Sequence, residues 1–358
     1  MKAAVWYNRG DVRVVDVDEP EVKPFHVKIK IKWCGICGSD LHEYLGGPVS
    51  IPVDTPHPLT GAVAPVILGH ELVGDVVEVG ENVTKFKVGD RVVTEATVCC
   101  QECPACLVGD YNLCEKLCIH GVHGSGGGFA EYTVFHEKFT HKVPESLDYE
   151  QAVLTEPIAV GFHALSLGGF KPGAVAVVLG AGPIGLGVIE SLKASGAKQI
   201  IAVVRKSVRQ EYALRSGADV LLDPEEVDVA AEVKKLTQGR GADVAYETYG
   251  VDLGLKLGLD SIRVGGTLVI LSLWENPSTL HMMDLVLTEK NIVGSIIYKG
   301  NDYETVVKML DDGRIPAKGY VTKRIALEDI VSEGFETLAG PEKKGHVKII
   351  VTPDRSLL

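Results

Sequence analysis

Val175-Ala176-Val177-Val178-Leu179, followed at once by Gly180-Ala181-Gly182-Pro183-Ile184-Gly185, is the stretch of this chain that says most about its fold. A short β-branched apolar run that ends in glycine reads as a buried strand, and Ile184–Ser195 beyond it carries a helical pattern. Between the two lies G-x-G-x-x-G, in the strand–turn–helix setting that a dinucleotide-binding loop requires. Gly180 permits the tight turn, Gly182 lets the backbone approach a pyrophosphate, and Gly185 lets helix and strand pack closely. Pro183 and Ile184 open the helix, whose unpaired N–H groups and positive dipole end suit phosphate. These five residues are the first candidates for binding a cofactor.

The same rhythm runs on both sides of the loop. From Ala174 to Ile297, the strand candidates Val175–Leu179, Gln199–Val204, Val220–Leu222, Asp243–Glu247, Thr267–Ser272 and Asn291–Ile297 alternate with helical stretches. That alternation predicts a parallel sheet covered on both faces, an α/β unit. Residues 1 to about 150 read instead as strands separated by turns. In His26–Trp33 the apolar Val27, Ile29, Ile31 and Trp33 alternate with polar residues, which predicts a strand with one buried face. Leu72–Val79 and Arg91–Glu95 are shorter strands of the same kind, and 298–358 adds a helix at Tyr303–Asp311 and a last strand at Val347–Val351.

At 358 residues, two domains are expected. A net charge of −12 argues against nucleic acid or an anionic membrane as partner. The start MKAAVWYNRGDV has no apolar signal region, so a cytoplasmic protein is expected. Pro172–Ile189 is uncharged over nearly the length of a membrane span, but its glycines and Pro183 divide it into a strand and a helix.

In a dinucleotide-binding unit the end of the second strand reports which cofactor binds, because a carboxylate there accepts bonds from the adenosine ribose. Here it reads Val203-Val204-Arg205-Lys206-Ser207-Val208-Arg209, with no carboxylate and with three cations, Arg205, Lys206 and Arg209, where a 2′-phosphate lies. NADP(H) is therefore favoured over NAD(H).

Of the eight cysteines, Cys100, Cys103, Cys106 and Cys114 form C-x2-C-x2-C-x7-C. Four thiolates from one short loop close a tetrahedral site, the way a structural zinc is held. A second set is dispersed: Cys37 in Gly35-Ile36-Cys37-Gly38-Ser39-Asp40-Leu41-His42, then Gly69-His70-Glu71, then Thr155-Glu156-Pro157. A Cys, a His and a carboxylate leave zinc one open position, the signature of a catalytic site.

With both cysteine patterns and the glycine loop in this order, the chain resembles the zinc-dependent medium-chain alcohol/polyol dehydrogenases over essentially its whole length. It looks most similar to the branch of (R,R)-2,3-butanediol, sorbitol and threonine dehydrogenases. The resemblance implies a GroES-like, mostly β catalytic domain (1–154 and 298–358, with the cysteine lobe at about 95–118) around a Rossmann coenzyme domain (155–297), the active site lying in the cleft between them. It further implies one catalytic and one structural zinc per chain, and a homodimer or homotetramer. By position, Cys37, His70 and either Glu71 or Glu156 hold the catalytic zinc. Ser39 and His42 match the proton relay, and Arg209 matches a cation that contacts the adenosine ribose. Val204 departs from the pattern of NAD-dependent members, which carry an acidic residue there.

The loop Glu43–Pro65, with His57-Pro58-Leu59-Thr60-Gly61, resembles the butanediol dehydrogenase branch, and its place between two zinc ligands takes it near the substrate. Hydride transfer between a small vicinal diol or acyloin and NADP(H) is the expected chemistry. A sorbitol- or threonine-dehydrogenase-like activity is the alternative. A zinc-free enone reductase and a non-catalytic redox sensor fit less well, because no ligand or relay residue is missing.

Overall fold

The computed structural model describes residues 1–317 and 319–358. The chain forms two compact units, one of Met1–Glu156, Lys299–Asp311 and Lys318–Leu358, the other of Pro157–Tyr298 and Asp312–Ala317. The short return of Asp312–Ala317 to the second unit carries no periodic signal. It is held there by the Ala317 N–H, which donates to the buried Glu190 carboxylate at 3.2 Å.

In the second unit six parallel strands lie in the spatial order Val220–Leu222, Gln199–Val203, Val175–Leu179, Ala242–Glu247, Ile262–Ile270, Asn291–Gly294. Numbered along the chain this is 3-2-1-4-5-6, the doubly wound order, in which ligands bind beyond the carboxyl ends of the strands at the reversal point. Every residue of Val175–Leu179 is buried, which explains its unbroken apolar run. The uncharged segment resolves into this strand and the helix Pro183–Ala194. Among the described residues no helix is long and apolar enough to cross a membrane.

The first unit is built on a seven-stranded sheet, antiparallel except where Val321–Ala326 runs parallel to Lys348–Thr352. Its centre is His26–Gly35, with Val27, Ile29, Ile31 and Trp33 buried as the alternation predicts. The reading of residues 1 to 150 as strands and turns needs correction: Pro104–Leu107 is a single α-helical turn, and Gly38–Gly46 is an α-helix. Nine residues between glycines are too few to display a period. The helix is started by Asp40, whose Oδ2 accepts the Cys37 N–H at 2.9 Å. A two-stranded ribbon, Thr97–Val98 against Cys118–Ile119, closes the base of the cysteine lobe.

Candidate functional site

Antiparallel pairing of His26–Gly35 with Glu71–Val79 sets Gly35 opposite Glu71. That register delivers Cys37, two residues past one strand, and His70, one residue before the other, to the same end of the sheet. One ligand atom each from Cys37, His70 and Glu71 lie within 4.8 Å of one another. His70 and Glu71 are buried and Cys37 is half-buried. A thiol, an imidazole and a carboxylate at that spacing are the donor set of an open zinc site, so the residues present fit the metal.

Two side chains behind this trio had no role in the sequence reading. Asp40 is completely buried, and its Oδ1 lies 3.8 Å from His70 Nδ1, neither atom having a hydrogen-bond partner among the described residues. Burial pushes His70 down, but Asp40, Cys37 and Glu156 outweigh it and leave the imidazole raised well above its ordinary value. The pocket therefore calls for positive charge, and a dication supplies it. Lys348, also buried, donates from Nζ to both Glu71 oxygens at 2.7 and 2.6 Å and to the Ile36 carbonyl at 3.1 Å. A lone lysine inside Val347-Lys348-Ile349-Ile350-Val351 is the sequence signal that could have revealed it.

Glu156 stands outside the trio, buried in the first turn of the helix Thr155–Leu167, with its charge felt at His70 and Lys348. Ser39 and His42 are both half-buried on the helix Gly38–Gly46, three residues apart and so on one face. Ser39 Oγ lies 3.4 Å from His70 Nε2.

Cys100, Cys103, Cys106 and Cys114 also bring their Sγ atoms within 4.8 Å of one another. Backbone N–H groups of Cys100 and Lys116 point at Cys114 Sγ, each at 3.3 Å, and that of Cys103 points at Cys100 Sγ at 3.4 Å. Backbone bonds from Cys106 and Glu115 lower Cys103 to about 6, while burial lifts Cys106 and Cys114 to about 12. Protons alone satisfy this set poorly, whereas a tetrahedral cation satisfies all four donors at once. Cys99 and Cys118 lie outside it.

In the second unit Gly180 has φ +109°, and a Cβ there would come within 2.3 Å of Thr248 Oγ1. At Gly185 a Cβ would meet the Gly180 carbonyl at 2.2 Å. The loop is thus a bare-backbone cradle at the carboxyl end of the first strand, with Gly182 as N-cap of the following helix and Pro183 and Ile184 opening it. Beside it Arg209 is half-buried, and its Nε has no hydrogen-bond partner among the described residues. A half-buried guanidinium with an unpaired Nε next to a glycine cradle suits an anionic ligand, so these residues fit a dinucleotide.

The other two cations differ from one another. Arg205 meets Glu225 at 3.3 Å with both side chains about two-thirds exposed, a pairing that contributes little. The Lys206 N–H donates to Asp223, a buried carboxylate that also accepts the Glu225 N–H.

The His57–Gly61 turn packs against the segment beyond the cysteine lobe. His57 Nε2 donates to the Leu117 carbonyl at 3.1 Å, Thr60 Oγ1 donates to the His123 carbonyl at 2.7 Å, and the His57 and His123 rings stack at 4.7 Å.

Comparison with known proteins agrees with this geometry. Residues 23–145 match the family model "Alcohol dehydrogenase GroES-like domain", and residues 183–312 match "Zinc-binding dehydrogenase". The chain is 46% identical to the (R,R)-butanediol dehydrogenase of Bacillus subtilis (strain 168), over 99% of this chain and 100% of that one. It is 36% identical to the sorbitol dehydrogenase of the same organism, over 99% and 98%. The X-ray crystal structure of 2R,3R-butanediol dehydrogenase from Bacillus subtilis matches with a TM-score of 0.92 at 46% identity, covering 99% of each chain.

Proposed function

Because the chain belongs to the zinc-binding alcohol dehydrogenases, in the branch of butanediol and sorbitol dehydrogenases, we propose that it interconverts a small vicinal diol and its acyloin. 2,3-Butanediol and acetoin are the pair we favour. The observation that carries the reading is the convergence of Cys37 and His70 beside the buried carboxylates Glu71 and Glu156, in a chain alike end to end with butanediol dehydrogenase.

Cys37 and His70 would hold the catalytic zinc with one glutamate. Lys348 occupies both oxygens of Glu71, which supports Glu156 as the direct third ligand with Glu71 behind it. When bound, zinc lowers the pKa of an alcohol oxygen and nicotinamide takes up hydride. Ser39 Oγ would accept the hydroxyl proton as it gives its own onward, by way of the cofactor ribose, to the His42 ring, which would exchange it with solvent. Asp40, 3.8 Å from His70 Nδ1, stabilises positive charge at the ring from behind. The four cysteines would hold a structural zinc.

Gly180, Gly182, Pro183, Ile184 and Gly185 would carry the cofactor pyrophosphate. Preference for NADP(H) draws its support from Val204, a buried apolar residue where a ribose-binding carboxylate is otherwise expected, and from Arg209 and the exposed Arg205 and Lys206.

A cytoplasmic homodimer or homotetramer fits the exposed edge strand Asn291–Gly294 and the exposed Met282, Met283, Val286 and Leu287. Light scattering that returns the mass of one chain would rule this assembly out.

The deciding experiment compares kcat/KM for 2,3-butanediol and 2-butanol. A site that bonds the second hydroxyl discriminates against the analogue lacking it by several powers of ten at best, far beyond an apolar pocket. Equal values for the two alcohols refute the diol reading.

A further inference from the structure

The chain between Cys37 and His70 is tied at three places to Leu117–Gly124, the segment by which the chain leaves the cysteine lobe, and each tie is of a different kind. Near its start, the buried Glu43 carboxylate accepts the N–H groups of Val49, Ser50 and Ile51 at 2.9, 2.6 and 3.1 Å, and the Ser50 backbone in turn bonds the ring of His123. In its middle, His57 and Thr60 make the hydrogen bonds to Leu117 and His123 and the ring stack described above. Further on, Ala62 lies so close to Gly124 that a Cβ on the glycine would sit 2.2 Å from Ala62 Cβ.

On the other side of these ties the lobe begins at once. Leu117, the acceptor for His57, donates its own N–H to the Cys114 carbonyl at 3.0 Å. Cys118–Ile119 pairs with Thr97–Val98, which leads directly to Cys99 and Cys100. His123 Nδ1 accepts the Ile119 N–H at 2.9 Å, and burial together with the His57 ring lowers His123 to about 4, so its ring is neutral and free to accept near pH 7. A path of hydrogen bonds therefore runs from a cysteine of the closed set, through Leu117, to the middle of the chain segment that lies between Cys37 and His70 of the open set.

We propose that the His57–Thr60 turn is a clasp through which the four-cysteine lobe sets the shape of the loop Glu43–Pro65, so that the integrity of the lobe controls how well substrate is held. His57 and Thr60 are positioning residues, and neither needs to touch substrate. The proposal rests on the reading of the Cys37–His70 site as the substrate site. It gives the HPLTG stretch a mechanical role in place of a contact role, because its polar groups are already spent on Leu117 and His123. Coupling of this kind is reciprocal: freeing the loop must also loosen the lobe.

The test compares zinc-loaded native enzyme with His57→Ala, His57→Gln and Thr60→Val. Hydrogen exchange over 47–65 is read without substrate. Zinc release to a chromogenic chelator is read in a Cys37→Ser background, so that only the lobe metal is counted.

In His57→Ala, loop exchange and zinc release are expected to rise several-fold, and KM for 2,3-butanediol about tenfold with kcat within about twofold, the split expected of lost positioning rather than lost chemistry. Thr60→Val should show the same pattern more weakly. His57→Gln, whose amide can still donate to Leu117, should recover part of the loss. Unchanged KM or unchanged zinc release in both His57→Ala and Thr60→Val overturns the clasp. A native enzyme inactive on the diol overturns the substrate reading instead, and the exchange and zinc-release measurements still decide the clasp.

Discussion

Lys348 and Glu71 form a buried ion pair, 2% and 0% exposed, and such a pair costs most when only one partner is removed. Lys348→Met should therefore destabilise the first unit by about 3–5 kcal/mol, the range for an uncompensated buried charge. Denaturant unfolding of the zinc-loaded protein checks this, and a loss under about 1 kcal/mol would mean that Glu71 finds other partners. At the adenosine end the proposed preference for NADP(H) rests on Val204, which is buried and apolar, and on the cations that follow it. A charge-assisted bond from a cation to a 2′-phosphate contributes about 1.5–3 kcal/mol, or about tenfold to a hundredfold in affinity. Val204→Glu combined with Arg205→Ala should reverse the ratio of kcat/KM for the two cofactors toward NAD. A native enzyme that already prefers NAD tenfold removes the basis for this prediction. The two positions differ in how far the sequence pointed to them. Val204 declared itself as a missing carboxylate, whereas Lys348 belongs to the site only because the last strand returns beside His26–Gly35.

The two cysteine-bearing elements should separate cleanly in experiment. The lobe is a closed set on one loop, zipped at its base by Thr97–Val98 and Cys118–Ile119. The open set is assembled from a helix N-terminus and a strand end. Cys106→Ser should lose one zinc per chain by metal analysis and lower the thermal midpoint, as loss of a structural metal does. Cys37→Ser should abolish turnover in a protein that still folds and binds cofactor. Near-normal kcat in Cys37→Ser would show that the open set is not the reaction centre. At this scale the sequence was informative wherever ligands sit in one loop or a period runs long enough, as in C-x2-C-x2-C-x7-C and His26–Trp33. It was silent on the helix Gly38–Gly46, which carries Ser39 and His42, because nine residues with an aspartate-led start leave no recognisable period.

For the molecule as a whole the acid limit of stability is set by histidines as well as carboxylates. Burial lowers His120 to about 3, its ring lying between Ser125 Oγ at 3.1 Å and Thr133 Oγ1 at 2.8 Å, and His123 sits at about 4. An unfolded histidine titrates near 6.5, so over this window the unfolded chain binds more protons than the native one. The stability these rings contribute is complete above about pH 6.5 and is lost as pH falls from there toward their native values, on the order of several kcal/mol from His120. Glu137, which accepts the Thr84 and Lys85 N–H groups, and Asp243, held low by Arg240, lose theirs only below about pH 4. The thermal midpoint should thus fall between pH 7.5 and 5, and the fall should shrink in His120→Gln. A flat midpoint across that range contradicts the assignment. The sequence by itself determined the two kinds of unit, the glycine turn and the four-cysteine set, because periodicity and close ligand spacing are local properties of a chain, whereas Cys37, His70 and their glutamate, dispersed along it, were named through the family resemblance. Only the tertiary structure decided that Asp40 and Lys348 stand behind those donors, that Arg209 is half-buried with no partner for its Nε among the described residues, and that the HPLTG turn grips the segment leaving the cysteine lobe. Each of these depends on which strands pair and which side chains lose their water, and no spacing along the chain encodes that.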